Sequence, residues 1–140
     1  MRDRLEQEKV KRGRHRGINV KFGAGGMLDV YFATRYLQLL HDVADEGEDR
    51  STQTTLEHLH AADALDSEDF ATLSNGYVLL RSIDHHLRLI LGRAAQLPAT
   101  DHPALKEIAQ QLNFTSASAL HETLIDQMKG IRETYNRITT

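Results

Sequence analysis

Between Phe70 and Leu91 large apolar side chains recur at steps of three and four: Phe70, Leu73, Tyr77, Leu80, Ile83, Leu87 and Leu91. That interval is close to a heptad, and only a helix with one buried stripe satisfies it over such a length. At 1.5 Å per residue the helix is about 33 Å long, so other elements must cover its stripe from end to end. The chain supplies them. Leu28, Phe32, Tyr36, Leu39, Leu40 and Val43 predict a helix over Met27–Asp42 with that set on one face, and Leu56, Leu59 and Ala62, turned inward, predict another over Thr52–Asp63. Leu105, Ile108 and Leu112 line a short helix, and Leu120, Leu124, Met128, Ile131, Tyr135 and Ile138 line a final one ending near Ile138. Boundary signals agree with these periods. Asp66 or Ser67 caps the long helix, which stops near Gly92 ahead of Pro98; Asp101 caps the short helix, with Pro103 in its first turn; Thr115 or Ser116 caps the last. Only Ile18–Phe22 reads as an extended stretch. The expected class is all-α, an irregular antiparallel bundle of about five helices.

The chain has 140 residues, a one-domain length. Its charge is unevenly placed. Met1 to Lys21 holds eight basic and three acidic residues, a local charge of +5 within a net charge of −3. Residues 1–17 are therefore expected to form a basic linker helix or arm, with Glu8 and Arg12 paired at i,i+4, ahead of a bundle domain at 18–140. A basic arm suits a phosphate-bearing or nucleic-acid partner. The aromatic residues that single-strand binding uses are missing from it, so a solvated helix is favoured over a nucleic-acid site. No apolar run reaches the roughly 18 residues of a membrane span, no signal-peptide pattern opens the chain, and there are no cysteines.

Where the first long helix begins, Gly23, Gly25 and Gly26 form a turn after Asn19-Val20-Lys21-Phe22. Two readings fit it. The turn either leaves open N–H groups that hold an anion at the helix start, with Lys21 adding its charge, or it only leads the backbone into a core helix. Neither the Gly-x-Gly-x-x-Gly nor the Gly-Lys-Ser/Thr phosphate pattern is present. Asp29 falls in the first helical turn, where a carboxylate suits the helix dipole. Eight histidines raise the question of a metal. Glu57-x-x-His60 lacks the second such motif of a di-iron bundle, the pairs His58/His60 and His85/His86 share no helix face, and His41-Asp42 lacks further ligands; no metal site is expected. Asp84 lies in or beside the apolar stripe of the long helix and needs a cation. Arg81 and Arg88 are nearest in sequence and Arg35 more distant, giving an expected ion pair that fixes helix register.

The stretch Val20-Lys21-x-Gly23-x-Gly25-Gly26-Met27-x-Asp29-Val30-x-Phe32 resembles the signature that opens the helical domain of glutamine-synthetase adenylyltransferases, roughly Ile-Lys-x-Gly-x-Gly-Gly-Ile/Leu-x-Asp/Glu-Ile-Glu-Phe. Arg50-Ser51-Thr52, Thr55-Leu56-Glu57-x-Leu59, Leu79-Leu80-Arg81-x-Ile83-Asp84-His85-x-Leu87-Arg88-Leu89 and Met128-x-x-Ile131-Arg132 follow in the family's order. Tyr31 departs from the pattern, standing where the family has its second acidic residue. The resemblance implies an accessory domain of an enzyme that moves AMP onto and off glutamine synthetase in the cytoplasm. It would pack on an upstream nucleotidyltransferase domain that holds ATP and Mg²⁺. The Gly-Ser and Asp-x-Asp of that catalytic domain do not occur here, so the chain by itself is expected to be inactive and to hold no cofactor. Lys21, Gly23, Gly25, Gly26 and Asp29 become the candidate nucleotide, phosphate or domain-contact residues. The uridylyltransferase of the PII signalling protein, whose helical domain opens similarly, is the nearest alternative, and PII a further candidate partner.

Overall fold

The computed structural model describes residues 18–44, 51–92 and 96–140. The basic arm at 1–17 and the Glu8–Arg12 pair lie outside the described residues, as does most of the connection before Ser51. Five helices account for the regular structure there: α1 Met27–His41, α2 Thr52–Ala61, α3 Ser67–Leu91, α4 Pro103–Gln111 and α5 Ala117–Thr139. No strand occurs among the described residues, and the chain is an all-α bundle.

The helices begin where side chains can take up orphan amides. Ser51, Asp66 and Ser116 accept from the N–H groups of Thr54, Asp69 and Ala119, at 3.2, 2.8 and 3.0 Å. For α4 the cap is His102, whose Nδ1 accepts from Ala104 N–H at 3.0 Å, in place of the expected Asp101. The cause is Pro103. Proline fits the first helical position and pushes the residue before it into extended backbone, so the cap falls on the immediate neighbour. Three helices end on a left-handed Asp or Asn: Asp42 (φ 54°), Asp63 (φ 60°) and Asn113 (φ 64°). The close at Asp63, with Ala64 N–H donating to Leu59 O at 2.9 Å, stops α2 at Ala61 and leaves Ala62 exposed rather than inward.

The long helix α3 touches each of the other four. Its buried residues Leu73, Leu80, Ile83 and Leu87 are those the heptad-like period marks, and Leu120, Leu124, Met128 and Ile131 of α5 face them. Gly76 sits where α3 and α5 cross, and a Cβ there would lie 2.5 Å from Ile131 Cδ1. The bare backbone lets the two helices approach this closely.

Helix α1 turns only part of its predicted apolar face toward the bundle. Val30, Ala33 and Leu37 are buried, together with Asp29, Thr34 and Gln38, whereas Phe32, Tyr36, Leu39 and Leu40 are exposed. The apolar period is real, but its middle members Phe32, Tyr36, Leu39 and Leu40 lie on the exposed side of α1, while Leu28 is half-buried and Val43 packs against the core. The expected extended stretch is also absent: residues 20–22 are turn. Asn19 Oδ1 accepts from the N–H groups of Lys21 and Phe22 at 3.0 and 2.9 Å, a local alternative to strand pairing that bends the backbone at once.

Candidate functional site

The glycine turn is fixed by three sets of contacts. Val20 is buried in the core beneath it, and Ile18 O accepts from Leu97 N–H at 2.7 Å, tying the turn to the segment before α4. Gly25 has φ +76° and lies so close to α5 that a Cβ would fall 1.8 Å from the carbonyl oxygen of Met128. Only glycine fits, on both counts. At Gly23 and Gly26 a Cβ would meet Asn19 O at 2.6 Å and Val20 O at 2.7 Å, so the turn is also tightly folded on itself.

Asp29 completes the joint. It is fully buried; its Oδ2 accepts from Gly25 N–H at 2.6 Å and from Arg132 Nη1 at 3.1 Å. The carboxylate thus holds the turn with one bond and the last helix with another. A buried charge needs both its countercharge and its hydrogen bonds, and Asp29 has both. The Asp29 carboxylate accordingly ties the turn to α5, in addition to sitting in the first turn of its own helix.

The N–H groups at the start of α1 are all engaged. Gly25 donates to Asp29, Gly26 to Gly23 O, Met27 to Val20 O, Leu28 to Lys21 O, and Asp29 and Val30 to Gly26 O. The open row of donors expected for an anion at this helix start is therefore absent: the preceding backbone, doubled back by the turn, supplies the acceptors instead. What remains outward is Lys21, half-buried, with its Nζ 5.6 Å from the centroid of the Phe22 ring.

Beside Met27, a groove of about 520 Å³ runs along α3, lined by Val78, Arg81, Asp84, His85 and Arg88. Asp84 pairs with Arg88 at 3.0 Å, as the i,i+4 spacing suggests. Arg81 is not in that pair; its guanidinium lies over the Tyr77 ring at 5.8 Å. Since the Asp84–Arg88 pair stays within one helix and is partly exposed, it does not fix register between helices, contrary to the expectation. That task belongs to ion pairs between elements, Asp29–Arg132 and Asp69–Arg137. Both Arg137 η nitrogens donate to Asp69, at 2.9 and 2.6 Å, joining the start of α3 to the end of α5. Hydrogen bonding to Asp69 and its negative charge push the Arg137 guanidinium further up from its ordinary value. Neither cross-helix pair was foreseen, although Asp29 and Arg132 both stand in motifs singled out by resemblance.

Among the described residues no three His, Asp or Glu side chains converge. His60 instead stacks on Phe70 at 4.5 Å, with Nε2 3.2 Å from Ser67 Oγ. The Nδ1–H of His86 donates to Ser82 O at 2.7 Å.

The described residues thus form an all-α domain whose opening glycine turn is docked on its last helix. The chain belongs to the GlnD PII-uridylyltransferase family, whose model matches residues 1–139. It is 38% identical over 147 aligned positions to the bifunctional glutamine synthetase adenylyltransferase/adenylyl-removing enzyme of Mycobacterium avium, covering 99% of this chain and 14% of that protein. The enzyme of the same name from Acinetobacter baylyi is 24% identical over 139 residues, 99% of this chain and 15% of the relative, and that of Streptomyces coelicolor 30% over 120 residues. The resemblance carried by Val20–Phe32 and the motifs after it is thus borne out. The chain spans about one-seventh of the length of the first two relatives.

Proposed function

We propose that this chain is the helical accessory domain of a glutamine synthetase adenylyltransferase, packing on a nucleotidyltransferase domain and shaping its nucleotide and protein-substrate cleft. The observation that carries this reading is the clamped turn. Asp29, Gly25 and Met128 tie the turn to α5, and the half-buried Lys21 lies in that turn with its Nζ over the Phe22 ring. A turn that only led into a helix would need neither a buried carboxylate nor contact with a helix about one hundred residues further along the chain.

In this reading Lys21 contributes a fixed positive charge toward the cleft, where a phosphate of ATP or an acidic loop of the catalytic domain would meet it. Mg²⁺ and ATP belong to the catalytic domain, where Mg²⁺ supplies charge neutralisation for transfer of AMP to a tyrosine of glutamine synthetase. In this reading the described residues of this chain position the cleft. Parent and site both act in the cytoplasm. The 140-residue chain alone should transfer no AMP from ATP, because its sequence lacks the Asp-x-Asp carboxylates that two-metal phosphoryl chemistry requires.

The test is Lys21→Ala in the full-length polypeptide. AMP incorporation into glutamine synthetase should fall clearly, while melting shifts by less than the equivalent of roughly 0.5 kcal/mol, as at a surface position outside the core. Unchanged activity would end the reading of Lys21. The family model's own description favours one second reading, a domain of a PII uridylyltransferase. Assaying ATP with glutamine synthetase against UTP with PII on the same preparation separates the two.

A further inference from the structure

Helix α1 is more apolar on its outside than on its inside. Toward the bundle it presents Asp29, Thr34 and Gln38 beside Val30, Ala33 and Leu37. Away from the bundle stand Tyr31, Phe32, Tyr36, Leu39 and Leu40, with Arg35 the one charged residue among them. Leu39 is 86% and Leu40 62% exposed. The aromatic part is a packed surface in its own right: the Tyr31 and Phe32 rings meet edge to face at 5.6 Å, and the Arg35 guanidinium lies over Tyr31 at 5.3 Å. A helix on the surface of a bundle normally turns its polar side to water. Tyr31, Phe32 and Tyr36 keep 38%, 36% and 36% of their surface beside the more open Leu39 and Leu40; contiguous apolar patches of this kind are typical of interaction surfaces, and aromatic residues with an arginine are what interface cores favour.

We infer that the outer face of α1 is the seat for another domain of the same polypeptide, which packs an apolar groove over Phe32, Tyr36, Leu39 and Leu40. The inference rests on the reading of this chain as one domain of a longer adenylyltransferase, and it names the surface through which that domain is joined. Three observations choose this occupant. Relatives matched over 99% of this chain carry about six-sevenths of their length elsewhere, so in them a folded neighbour is available to cover the face. Residues 1–17 do not suit it, since ten of the seventeen are charged and only Met1, Leu5 and Val10 are apolar. A second copy suits it poorly, because pairing α1 with itself about a two-fold axis near its middle would set two like-charged Arg35 side chains against each other, whereas a different surface can offer Arg35 an acceptor.

Single cysteines test this directly, as the chain has none of its own. Leu39→Cys and, as a control on α5, the exposed Glu122→Cys are placed in the 140-residue chain and in the full-length polypeptide. Maleimide labelling of each peptide is followed by mass spectrometry, and AMP transfer to glutamine synthetase is assayed on the same full-length samples. Labelling at position 39 should be roughly tenfold or more slower in the full-length polypeptide, because the centre of an interface excludes water. Position 122 should label at the same rate in both. Equal rates at position 39 overturn the inference. So does protection already present in the 140-residue chain that rises with concentration alongside a dimer in sedimentation, which would assign the face to a second copy. Slow labelling at 39 in a polypeptide that transfers no AMP supports the docking surface and removes the enzymatic reading. Transfer with equal labelling removes the docking surface alone.

Discussion

Arg132 and Asp29 make the contact on which the turn depends, and they are unequal partners. The Asp29 side chain is fully buried whereas that of Arg132 keeps 22% of its surface in water, so removing the arginine takes a countercharge from a carboxylate that cannot reach solvent. Arg132→Met should therefore destabilise the chain by about 3 kcal/mol, the lower end of the cost of breaking a buried ion pair by removing one partner. Urea unfolding measures it. Adding Asp29→Asn removes the buried charge while keeping an acceptor for Gly25 N–H, and should recover a good part of the loss; two independent additive losses would instead show that the pair does not act as one unit. This pairing also shows where reading a sequence stops. Asp29 was legible as an acid in the first turn of a helix, and Arg132 as part of a motif, because each is a local fact. Their contact joins positions 103 apart, and no spacing rule reaches across that interval. Asp84–Arg88 lies at the opposite extreme: it sits at i,i+4 on one helix, was among the pairings the spacing offered, and fixes nothing between elements.

Helix starts were readable for the same reason, since a cap is decided by a few neighbouring residues. Ser116 and Asp66 are capping residues as expected, and even the shift from Asp101 to His102 follows from Pro103 alone. The direction in which a helix faces is not local. Phe32, Tyr36, Leu39 and Leu40 have a true helical period, but periodicity says only that a face is apolar, and a domain that meets a neighbour has two such faces to distribute. Helix crossings are likewise invisible in sequence, and the α3–α5 crossing at Gly76 allows a sharp test. Alanine is favoured over glycine in a helix interior by about 1 kcal/mol, which should be the outcome at Gly130, where the added Cβ would meet Thr72 Cγ2 at 3.4 Å. At Gly76 the fully buried Ile131 blocks the Cβ, so overpacking should outweigh the propensity gain and Gly76→Ala should destabilise by about 1 kcal/mol. Ile131→Val removes the blocking Cδ1. The double variant should be more stable than the sum of the single effects by at least about 0.5 kcal/mol, a coupling expected of residues in contact.

At the level of the whole molecule the contacts leave no helix that can detach alone. The central α3 touches all four others, α1 is held to α5 through Gly25, Met128, Asp29 and Arg132, and α3 is held to α5 through Asp69 and Arg137. One core cluster draws buried side chains from every helix, from Val30 and Leu37 through Leu56, Leu80 and Ile108 to Ile131. Local opening requires an element with few buried contacts, and none of the five described helices is such an element. The 140-residue chain should therefore unfold in one cooperative step, with helix content by circular dichroism and tyrosine fluorescence giving the same midpoint and the same slope in urea. The four tyrosines make the comparison informative. Tyr31 and Tyr36 lie on the outer side of α1, while Tyr77 and Tyr135 pack against the core, so early fraying of α1 would move the fluorescence midpoint below that of helix content. Separated midpoints would mean that α1 is not secured by its turn. Coincident midpoints that move together in Arg132→Met, with an unchanged slope, would show that the turn contact stabilises the bundle as a whole.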